Sequence, residues 1–410
     1  MPVIAYLANE FPSSLEPYVA DEIRELRRRG VEVVCCSVHR PRGPLNPELE
    51  ALARETLYLR PLGTAPLARA AWLCWRERLS LCGWFERLVR EGNETLGRRA
   101  RALLHTWLGA YYALALRERG VEHIHVHHGY FGSWVAMVAA RLLDISFSLT
   151  LHGSDLLLHA AYLDVKLKNC NLCCTVSEFN RRHILEKYPQ VPAERIAVLP
   201  LGVDRASARP NPKPGPCLLM LSAGRLHPVK NHAFLLRACR ELKTLQLPFR
   251  CLIAGDGPER AALERLVSAF DLSGEVTLLG HLSRSQLDAY YQAADLVAIT
   301  STSEGIPLVL MEAMAHGKTV LAPAITGIPE LVIHGKTGFL YQPGCLDDFV
   351  ARVMAIAESP RALAPMRRQA RRHVLSHFDR QKNLAAFADV LLERLSGSRL
   401  QDHYEDPVLQ

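Results

Sequence analysis

Two glutamates, Glu304 and Glu312, stand on either side of the start of a predicted helix in the C-terminal half of the chain. Pro307 lies between them and suits the first helical turn, where its missing N–H group is no loss. The free backbone N–H groups and the positive dipole end of such a helix favour an anion, for example a diphosphate. Carboxylates beside that anion can accept hydrogen bonds from hydroxyl groups. Two glutamates alone also fit an ordinary helix, so the segment needs support from its surroundings.

A second loop in the same half of the chain supplies positive charge. Gly224 ends a predicted strand, and Arg225 and Lys230 follow it. Arginine can bind two phosphate oxygens at once and lysine acts as a point charge, so the pair can neutralise a pyrophosphate. Taken alone, the loop is equally a solvated basic turn. Three more glycine-containing strand ends follow, at residues 255–258, 280–282 and 326–330. Packing alone does not require so many glycine-containing strand ends in one series, and together these loops predict a phosphate-binding site.

The elements that must position these side chains follow a regular order. Short β-branched runs alternate with longer helical periods, which is typical of βαβ units around a parallel sheet. Residues 205–216 contain four prolines and almost no large apolar side chain, so we predict a linker there. We therefore predict the α/β class, with two Rossmann-like, doubly wound domains that face a central cleft. The predicted divisions are an N-terminal domain at 1–204, the linker, a C-terminal domain at 217–376, a helix at 377–396 and a tail at 397–410.

The composition limits the partners. Of the 410 residues, 49% are hydrophobic and 22% are charged, which is ordinary for a globular protein. The net charge of +7 favours acidic partners, but the basic residues are dispersed without a recognised motif, so we predict no nucleic-acid partner.

The first residues are predicted to form a buried strand and not a signal peptide, and no apolar stretch approaches the roughly 20 residues that span a bilayer. Eleven cysteines include one C-x-x-C pair, Cys170 and Cys173, which favours reduced core thiols in an intracellular protein over a zinc site.

The strand-end motifs together resemble those of the family 4 glycosyltransferases, which have the GT-B fold. The matching motifs are Gly224-Arg225 with Lys230, Gly255-Asp-Gly-Pro258, Glu304 with Glu312, and Gly327-Ile-Pro-Glu330. The resemblance spans nearly the whole chain and is densest between residues 221 and 340. The sequence differs from the family's usual pattern at two positions: Thr300 stands where proline is common, and Thr326 stands where glycine is common. The resemblance implies retaining, metal-independent transfer of a hexose-type sugar from a nucleoside-diphosphate donor, with no cofactor.

The resemblance also implies roles for the C-terminal residues. Glu304 is expected to contact hydroxyl groups of the transferred sugar, and Glu312 to contact the ribose of the nucleotide. Arg225 and Lys230 are expected to hold the departing diphosphate, and the backbone near Leu282 to meet the base. Of these, Glu304, Arg225 and Lys230 are predicted to be catalytic. The other predicted donor-binding residues are Gly224, Gly305, Ile306, Pro307 and Leu308.

In the N-terminal half, His152 and Asp155 lie in the segment Leu151-His-Gly-Ser-Asp155, which resembles the family's His-Gly-x-Asp element. The resemblance implies that His152 is catalytic and reaches the donor sugar, and that Asp155 orients the loop. Without it, a lone histidine at a strand end would be interpreted as structural. Glu16 matches the glutamate of a loop type found in transferases of bacterial exopolysaccharide and capsule assembly. We therefore assign Glu16 and Asp155 to the acceptor side.

Three alternating histidines, His123, His125 and His127, share one face of a predicted strand, and His128 lies on the other. One interpretation is a metal site, but no carboxylate is spaced with them along the chain. The resemblance supplies another, namely a strand end that lines the cleft. We follow the second interpretation and predict no metal.

The segment between residues 61 and 117 is rich in Trp, Leu and Arg, with Trp72, Trp75, Trp84 and Trp107. A basic helix face that carries Trp suits an anionic membrane surface, and ordinary packing over the sheet explains the same residues equally well. The resemblance implies a glycan or lipid-linked acceptor, and a helix at 377–396 that packs back on the N-terminal domain. We expect a role in surface polysaccharide biosynthesis, either in the cytoplasm or at the cytoplasmic face of the inner membrane, with peripheral membrane contact.

Two other functions fit the same motifs. A sugar-nucleotide epimerase or hydrolase of GT-B fold would share the nucleotide site but would need no acceptor. A non-catalytic nucleotide-sugar-binding protein would not need its charged site residues intact, and here they are intact.

Overall fold

The structure is a computed structural model that describes residues 2–13, 16–41, 45–60, 62–90, 94–206 and 217–402. The chain divides into two compact units. The first comprises Met1–Val176, Asn180–Leu199 and Leu384–Gln410, and the second comprises Ser177–Phe179 and Pro200–Asn383. Residues 207–216 of the predicted linker and 403–410 of the predicted tail lie outside the described residues.

The first unit is built on a seven-stranded sheet in which all neighbours are parallel, in the order β3-β2-β1-β4-β5-β6-β7. Its strands are β1 Val3–Glu10, β2 Glu32–His39, β3 Leu57–Tyr58, β4 His123–His127, β5 Ser146–Leu151, β6 Leu172–Thr175 and β7 Ile196–Val198. The helices up to β7 are α1 Pro17–Arg28, α2 Pro47–Glu55, α3 Thr64–Arg76, α4 Arg78–Arg90, α5 Leu96–Leu116, α6 Phe131–Leu143, α7 Ser154–Leu157, α8 Leu163–Asn169 and α9 Glu178–Lys187.

The second unit contains a six-stranded parallel sheet in the order β10-β9-β8-β11-β12-β13. Its strands are β8 Leu218–Ala223, β9 Phe249–Ala254, β10 Val276–Gly280, β11 Leu296–Ala298, β12 Thr319–Pro323 and β13 Phe339–Tyr341. Its helices are α10 His232–Thr244, α11 Arg260–Ala269, α12 Arg284–Ala293, α13 Leu308–Ala315, α14 Ile328–Leu331, α15 Leu346–Glu358 and α16 Ala364–His377. The predicted α/β class with two Rossmann-like domains is confirmed.

Strands in such a sheet are buried on both faces, which explains their nearly continuous apolar sequences. In β1, Leu7 belongs to one apolar cluster, whereas Tyr6 belongs to another. The last helix, α17 (Arg380–Asp402), contributes Phe387 and Leu391 to the Tyr6 cluster. This helix begins after the predicted residue 377 and continues beyond the predicted residue 396.

Both sheets reverse their strand order at one point, between β1 and β4 in the first unit and between β8 and β11 in the second. The connections on either side of such a switch point leave toward opposite faces, so a crevice opens beyond the carboxyl ends of the two strands. Of the loops predicted to carry chemistry, those with Glu16, Lys230 and Glu304 follow the switch-point strands β1, β8 and β11, and the loop with His152 and Asp155 follows β5, the neighbour of β4. Each unit therefore places its candidate residues at or beside the switch point of its own sheet.

Candidate functional site

In the second unit, two loops meet at the switch point. The loop after β8 contains Lys230, and the loop after β11 contains Glu304. The Thr300 hydroxyl donates to the carbonyl oxygens of Lys230 and Asn231 at 3.1 and 3.0 Å, and the Thr302 amide donates to the Val229 carbonyl at 2.8 Å. These bonds hold the loops together and bring Lys230 Nζ to 2.5 Å from Glu304 Oε1. Thr300, where the family often has proline, thus joins the two halves of this site.

Glu304 is fixed through its side chain and through its backbone. The Ser301 hydroxyl donates to Glu304 Oε1 at 2.6 Å, and the Thr326 hydroxyl donates to the Glu304 carbonyl oxygen at 2.6 Å. Thr326 has φ +46°, a conformation that is costly for a β-branched residue, whereas glycine adopts it freely. The hydroxyl bond offsets part of that cost, which explains how threonine is accommodated where glycine is common.

Glycine is required where the loops touch through their backbones. A Cβ atom on Gly255 would lie 2.0 Å from the Gly224 carbonyl oxygen. A Cβ atom on Gly327 would lie 2.5 Å from the Gly305 carbonyl oxygen. Real Cβ atoms essentially never approach so closely, so these motif glycines permit the strand-end loops to pack edge to edge.

Glu312 lies inside α13 and accepts a hydrogen bond from the Tyr291 hydroxyl at 2.9 Å. Burial raises the pKa of the Glu312 carboxyl, against the opposing effect of the Tyr291 bond. Among the described residues, no hydrogen bond or ion pair connects Glu312 with Glu304. The structure therefore keeps the two glutamates in separate environments, one with a tyrosine and one with a lysine.

Arg225 is exposed, and its guanidinium has no hydrogen-bond or ion-pair partner within the described ranges. Its charge is therefore available to an anion, whereas that of Lys230 is already paired. The predicted donor-binding residues Ile306 and Pro307 are buried, while Leu308 and Leu282 are partly buried against the same apolar cluster as Ile306. Side chains packed in this way leave mainly backbone groups of this segment for contact with a ligand.

The prediction that Pro307 lies in the first turn of the helix is wrong. Pro307 has φ −75° and ψ 122°, and α13 begins at Leu308. The Pro307 carbonyl accepts from the amides of Leu310 and Met311, at 3.1 and 3.4 Å, so proline occupies the capping position just before the helix.

In the first unit, His128 follows β4 and lies beside two carboxylates. Its Nε2 donates to Glu16 Oε1 at 3.0 Å, and its Nδ1 is 3.7 Å from Asp155 Oδ2. Burial lowers the pKa of His128, but the hydrogen bonds and charges of Asp155 and Glu16 outweigh burial and raise it to about 10. His128 is therefore a cation at neutral pH. Its φ of +69° is unusual for a residue other than glycine and is a form of strain found at functional sites.

Asp155 joins two turns of the first unit. It is fully buried and accepts from the amides of Gly129 at 2.9 Å, His152 at 3.1 Å and Gly153 at 2.8 Å. Burial opposes its ionisation, but His128 and the backbone amides outweigh burial and hold the pKa of Asp155 well below its usual range. This geometry suits the predicted role of Asp155 in orienting the loop that carries His152.

The turn at Gly129 is also held by a buried lysine that the sequence did not single out. Lys166 Nζ donates to the carbonyl oxygens of Gly129, Tyr130 and Ala161 at 2.7, 3.1 and 2.9 Å. Burial lowers the pKa of Lys166 to about 7. The buried amine of Lys166 and the buried carboxylate of Asp155 thus hold the loop after β4 through its carbonyl and amide groups respectively.

His152 lies at the end of a hydrogen-bonded series that sequence reasoning missed. Its Nε2 is 2.9 Å from His127 Nδ1, and His127 Nε2 is 2.9 Å from Glu22 Oε2. Burial, and then the charge of His128, lower the pKa of His152 well below its usual range. A signal was present in the sequence, because Glu22 is a glutamate on the apolar face of α1.

The alternating histidines bond to neighbouring side chains. His125 bonds the Ser148 and Thr150 hydroxyls at 2.7 and 3.1 Å. Glu22, His125 and His127 lie close enough together to hold a metal ion, and they form the one such group among the described residues. Each imidazole nitrogen of the two histidines already has a hydrogen-bond partner, so hydrogen bonding accounts for the cluster.

The tryptophans of residues 61–117 fall into two kinds. Trp84 and Trp107 pack against apolar clusters. Trp72 and Trp75 are 56% and 64% exposed on α3, and Leu79 on α4 is 78% exposed. The guanidinium groups of Arg76 and Arg78 stack on Trp72 and Trp75 at 4.9 and 5.0 Å. These five residues, 72, 75, 76, 78 and 79, are called the Trp72 patch below.

Across the described part of the chain, no helix is both long enough and apolar enough to cross a membrane.

Comparison with known proteins gives two family matches. Residues 15–207 match the family model described as "Glycosyltransferase Family 4", and residues 204–373 match "Glycosyl transferases group 1". A protein of Escherichia coli K12 that is named as a colanic acid biosynthesis glycosyltransferase, WcaL, is 35% identical over 46% of this chain and 49% of its own. The amylovoran biosynthesis glycosyltransferase AmsK of Erwinia amylovora is 28% identical over 54% of this chain and 62% of its own. The chain thus spans about half the length of the first curated relatives that it matches.

A solved structure resembles the whole chain. Anabaena HepE, crystallised with UDP and glucose, matches with a TM-score of 0.71 over 96% of this chain and 100% of that one, at 19% identity. The likeness establishes a common fold, with two parallel-sheet Rossmann-like domains.

Proposed function

Since the chain belongs to glycosyltransferase family 4 and has the GT-B fold, we propose that it is a retaining, metal-independent glycosyltransferase. It moves a hexose-type sugar from a nucleoside-diphosphate donor to a glycan or lipid-linked acceptor in surface polysaccharide biosynthesis. The contact between Lys230 and Glu304 carries this proposal, because it places a cation and a carboxylate together at the switch point where such sheets bind ligands. The names of the relatives in colanic acid and amylovoran biosynthesis support the polysaccharide, and the UDP and glucose of HepE support the donor.

The second unit provides the groups that the donor needs. Lys230 and Ser301 both bind Oε1 of Glu304, which leaves Oε2 to accept a hydrogen bond from a sugar hydroxyl. Lys230 uses one of its three N–H groups on Glu304 and can direct the others at a phosphate. Arg225 adds a positive charge with no other partner in the described structure, and Glu312 accepts a hydrogen bond from the ribose.

The reaction requires charge stabilisation more than covalent chemistry. The bond between the sugar's anomeric carbon and the phosphate oxygen breaks, and the acceptor oxygen bonds to the same face of that carbon. The acceptor's proton passes to the departing phosphate oxygen, so no protein nucleophile is used. Arg225 and Lys230 stabilise the negative charge that develops on the diphosphate, which is the term that most accelerates such transfers. His152 contributes a neutral imidazole to bind a hydroxyl of the transferred sugar.

We also propose that the Trp72 patch makes peripheral contact with an anionic membrane, at the cytoplasmic face of the inner membrane. Exposed indole rings suit the boundary between headgroups and acyl chains, and arginine beside them attracts anionic lipids. A lipid-linked acceptor would be presented at such a surface.

The first experiment measures thermal stabilisation by UDP, GDP, ADP and their sugar conjugates. A ligand at a hundred times its dissociation constant adds about 2.7 kcal/mol of stability, so one nucleotide should raise the melting temperature. Glu312→Ala should abolish the shift, and Glu241→Ala, which removes an exposed carboxylate from α10, should preserve it. No shift with any nucleotide in the wild type would contradict the donor site.

Transfer itself is tested with Arg225→Ala. Turnover should fall by about 100-fold or more, because loss of one preorganised charge at a transition state typically costs that much. The melting temperature should not change, since the Arg225 side chain is exposed and forms no bond in the described structure. Near-normal turnover would refute the assignment, and sugar release at full rate without acceptor would indicate a hydrolase.

A further inference from the structure

A buried series of hydrogen bonds leads from α1 to His152. Glu22 Oε2 bonds His127 Nε2, and His127 Nδ1 bonds His152 Nε2, each at 2.9 Å. Glu22 and His127 are 4% and 2% exposed, so water cannot replace these bonds. The Tyr6 hydroxyl donates to the same oxygen of Glu22 and lies 3.0 Å from His127 Nε2, so its oxygen can accept from that nitrogen. The series spans three elements, since Glu22 lies on α1, His127 ends β4, and His152 follows β5.

The series has a direction, because its first member can only accept. A carboxylate has no proton to donate, so the proton between Glu22 and His127 belongs to Nε2 of His127. When His127 carries one proton, its Nδ1 is an acceptor, and the proton between the two histidines then belongs to Nε2 of His152. The remaining nitrogen of His152, Nδ1, is left with a lone pair. Glu22 therefore determines, through one intervening ring, which hydrogen-bonding group His152 can present.

The surroundings keep His152 from taking a second proton. The cationic His128 ring lies 4.6 Å from the His152 ring, centroid to centroid, and repels another positive charge. Burial also lowers the pKa of His152. The Tyr18 ring packs at 4.8 Å, and the Asp155 carboxylate holds the His152 amide. The His152 ring is thus fixed in place and neutral. These contacts do not determine its tautomer, which depends on Glu22 and His127.

We propose that Glu22 and His127 are positioning residues that hold His152 in the Nε2–H tautomer, so that its Nδ1 accepts a hydrogen bond from a substrate hydroxyl. This inference rests on the proposed function, in which His152 binds a hydroxyl of the transferred sugar. If Nδ1 carried the proton instead, it would be a hydrogen-bond donor. It could then not accept a hydrogen bond from the substrate hydroxyl.

The tautomer can be measured without any substrate. The protein labelled with ¹⁵N-histidine gives distinct imidazole nitrogen shifts for protonated and unprotonated positions, and the His152→Ala spectrum identifies the His152 signals. We expect wild-type His152 to have a protonated Nε2 and an unprotonated Nδ1. A protonated Nδ1 would overturn the proposal. Because this readout needs no transfer, it separates failure of this inference from failure of the proposed function.

The matched pair Glu22→Gln and Tyr6→Phe tests the cause. A glutamine amide offers a donor as well as an acceptor, so Glu22→Gln should give His152 signals for both tautomers and should lower kcat at least tenfold. Tyr6→Phe removes the hydroxyl that donates to Glu22 and lies 3.0 Å from His127 Nε2, but it leaves the Glu22–His127 and His127–His152 bonds in place. The tautomer should therefore stay, and kcat should change by less than about twofold. A single Nε2–H tautomer with full turnover in Glu22→Gln would refute the role of Glu22. If that variant does not fold, the wild-type spectrum still decides the tautomer.

Discussion

At the scale of single residues, His128 combines two unusual properties. It has a positive φ, and it is an imidazolium held by Glu16 and Asp155. His128 places a positive charge beside His152 in the first unit, and Arg225 and Lys230 place positive charge in the second unit. The two carboxylates neutralise it and restrict its rotation, so His128 serves as a rigid part of the loop.

This arrangement predicts a pH dependence of stability. The pKa of His128 is about 10 in the folded protein and about 6.5 in an unfolded chain, so its contribution is complete below about pH 6.5 and is lost as the pH rises through 10. Lys166 acts in the opposite sense, because its folded pKa of about 7 lies below its unfolded value of about 10.4, so stability increases with pH between these values. The wild-type curve alone therefore mixes two opposing trends.

Comparison with His128→Asn isolates the histidine, since asparagine tolerates positive φ. The difference in unfolding free energy between wild type and variant should decline by about 3 to 5 kcal/mol from pH 6.5 to 10, at about 1.4 kcal/mol for each pKa unit. Urea unfolding followed by tryptophan fluorescence measures it, because all five tryptophans lie in the first unit. Parallel curves for the two proteins would contradict the ion pairs.

Sequence reasoning located loops whose signal is local. The loops of Lys230 and Glu304 were recognisable because each follows a strand with its own glycine or proline pattern. The partners of His128 were not recognisable, because Glu16 lies 112 positions away along the chain and meets it only through the order of the strands. Glu22 was missed for the same reason, although a glutamate on an apolar helix face was visible.

At the scale of elements, strands were easier to predict than helix starts. Residues Phe249–Ala254 form a strand, in keeping with the predicted alternation of short apolar runs and helical periods, and Pro248 and Gly255 bound it. Pro307 was placed one position too far into α13, because proline suits both the capping position and the first turn. The folding of the strand-end loops against one another was not predictable, since it depends on which strands become neighbours.

The contact between the loops after β8 and β9 predicts opposite outcomes for two glycines. Gly255→Ala brings Cβ to 2.0 Å from the Gly224 carbonyl oxygen at a φ of +137°, so it should destabilise the second unit by about 3 kcal/mol or more and weaken nucleotide binding. Gly274→Ala is the control, because its Cβ meets nothing within 4 Å, and it should be neutral within about 0.5 kcal/mol or slightly stabilising. Urea unfolding by circular dichroism and the nucleotide-induced melting shift measure both. Equal effects at the two positions would show that the loops do not touch.

At the scale of the whole molecule, the apolar surface is unevenly distributed. The described surface carries large exposed apolar side chains at several places, but Trp72, Trp75 and Leu79 occur within eight residues, with Arg76 and Arg78 between Trp75 and Leu79. Leu245, which is 54% exposed at the end of α10, has no such neighbours in sequence. Scattered apolar residues are normal on a protein surface, whereas a cluster with a basic rim indicates a binding surface.

The Trp72 patch therefore predicts selective binding to anionic vesicles. Wild-type protein should sediment with vesicles of phosphatidylglycerol and phosphatidylethanolamine but not with phosphatidylcholine, and 0.5 M salt should weaken binding because arginine attraction is screened. The double variant Trp72→Ala/Trp75→Ala should bind at least tenfold more weakly, since it removes both exposed indoles and the rings on which Arg76 and Arg78 stack. Leu245→Ala, which removes an equally exposed apolar side chain elsewhere, should bind as the wild type does. If the double variant and Leu245→Ala bind equally well, the patch is not the membrane surface, and if the wild type ignores anionic lipid, the acceptor must reach the enzyme without it.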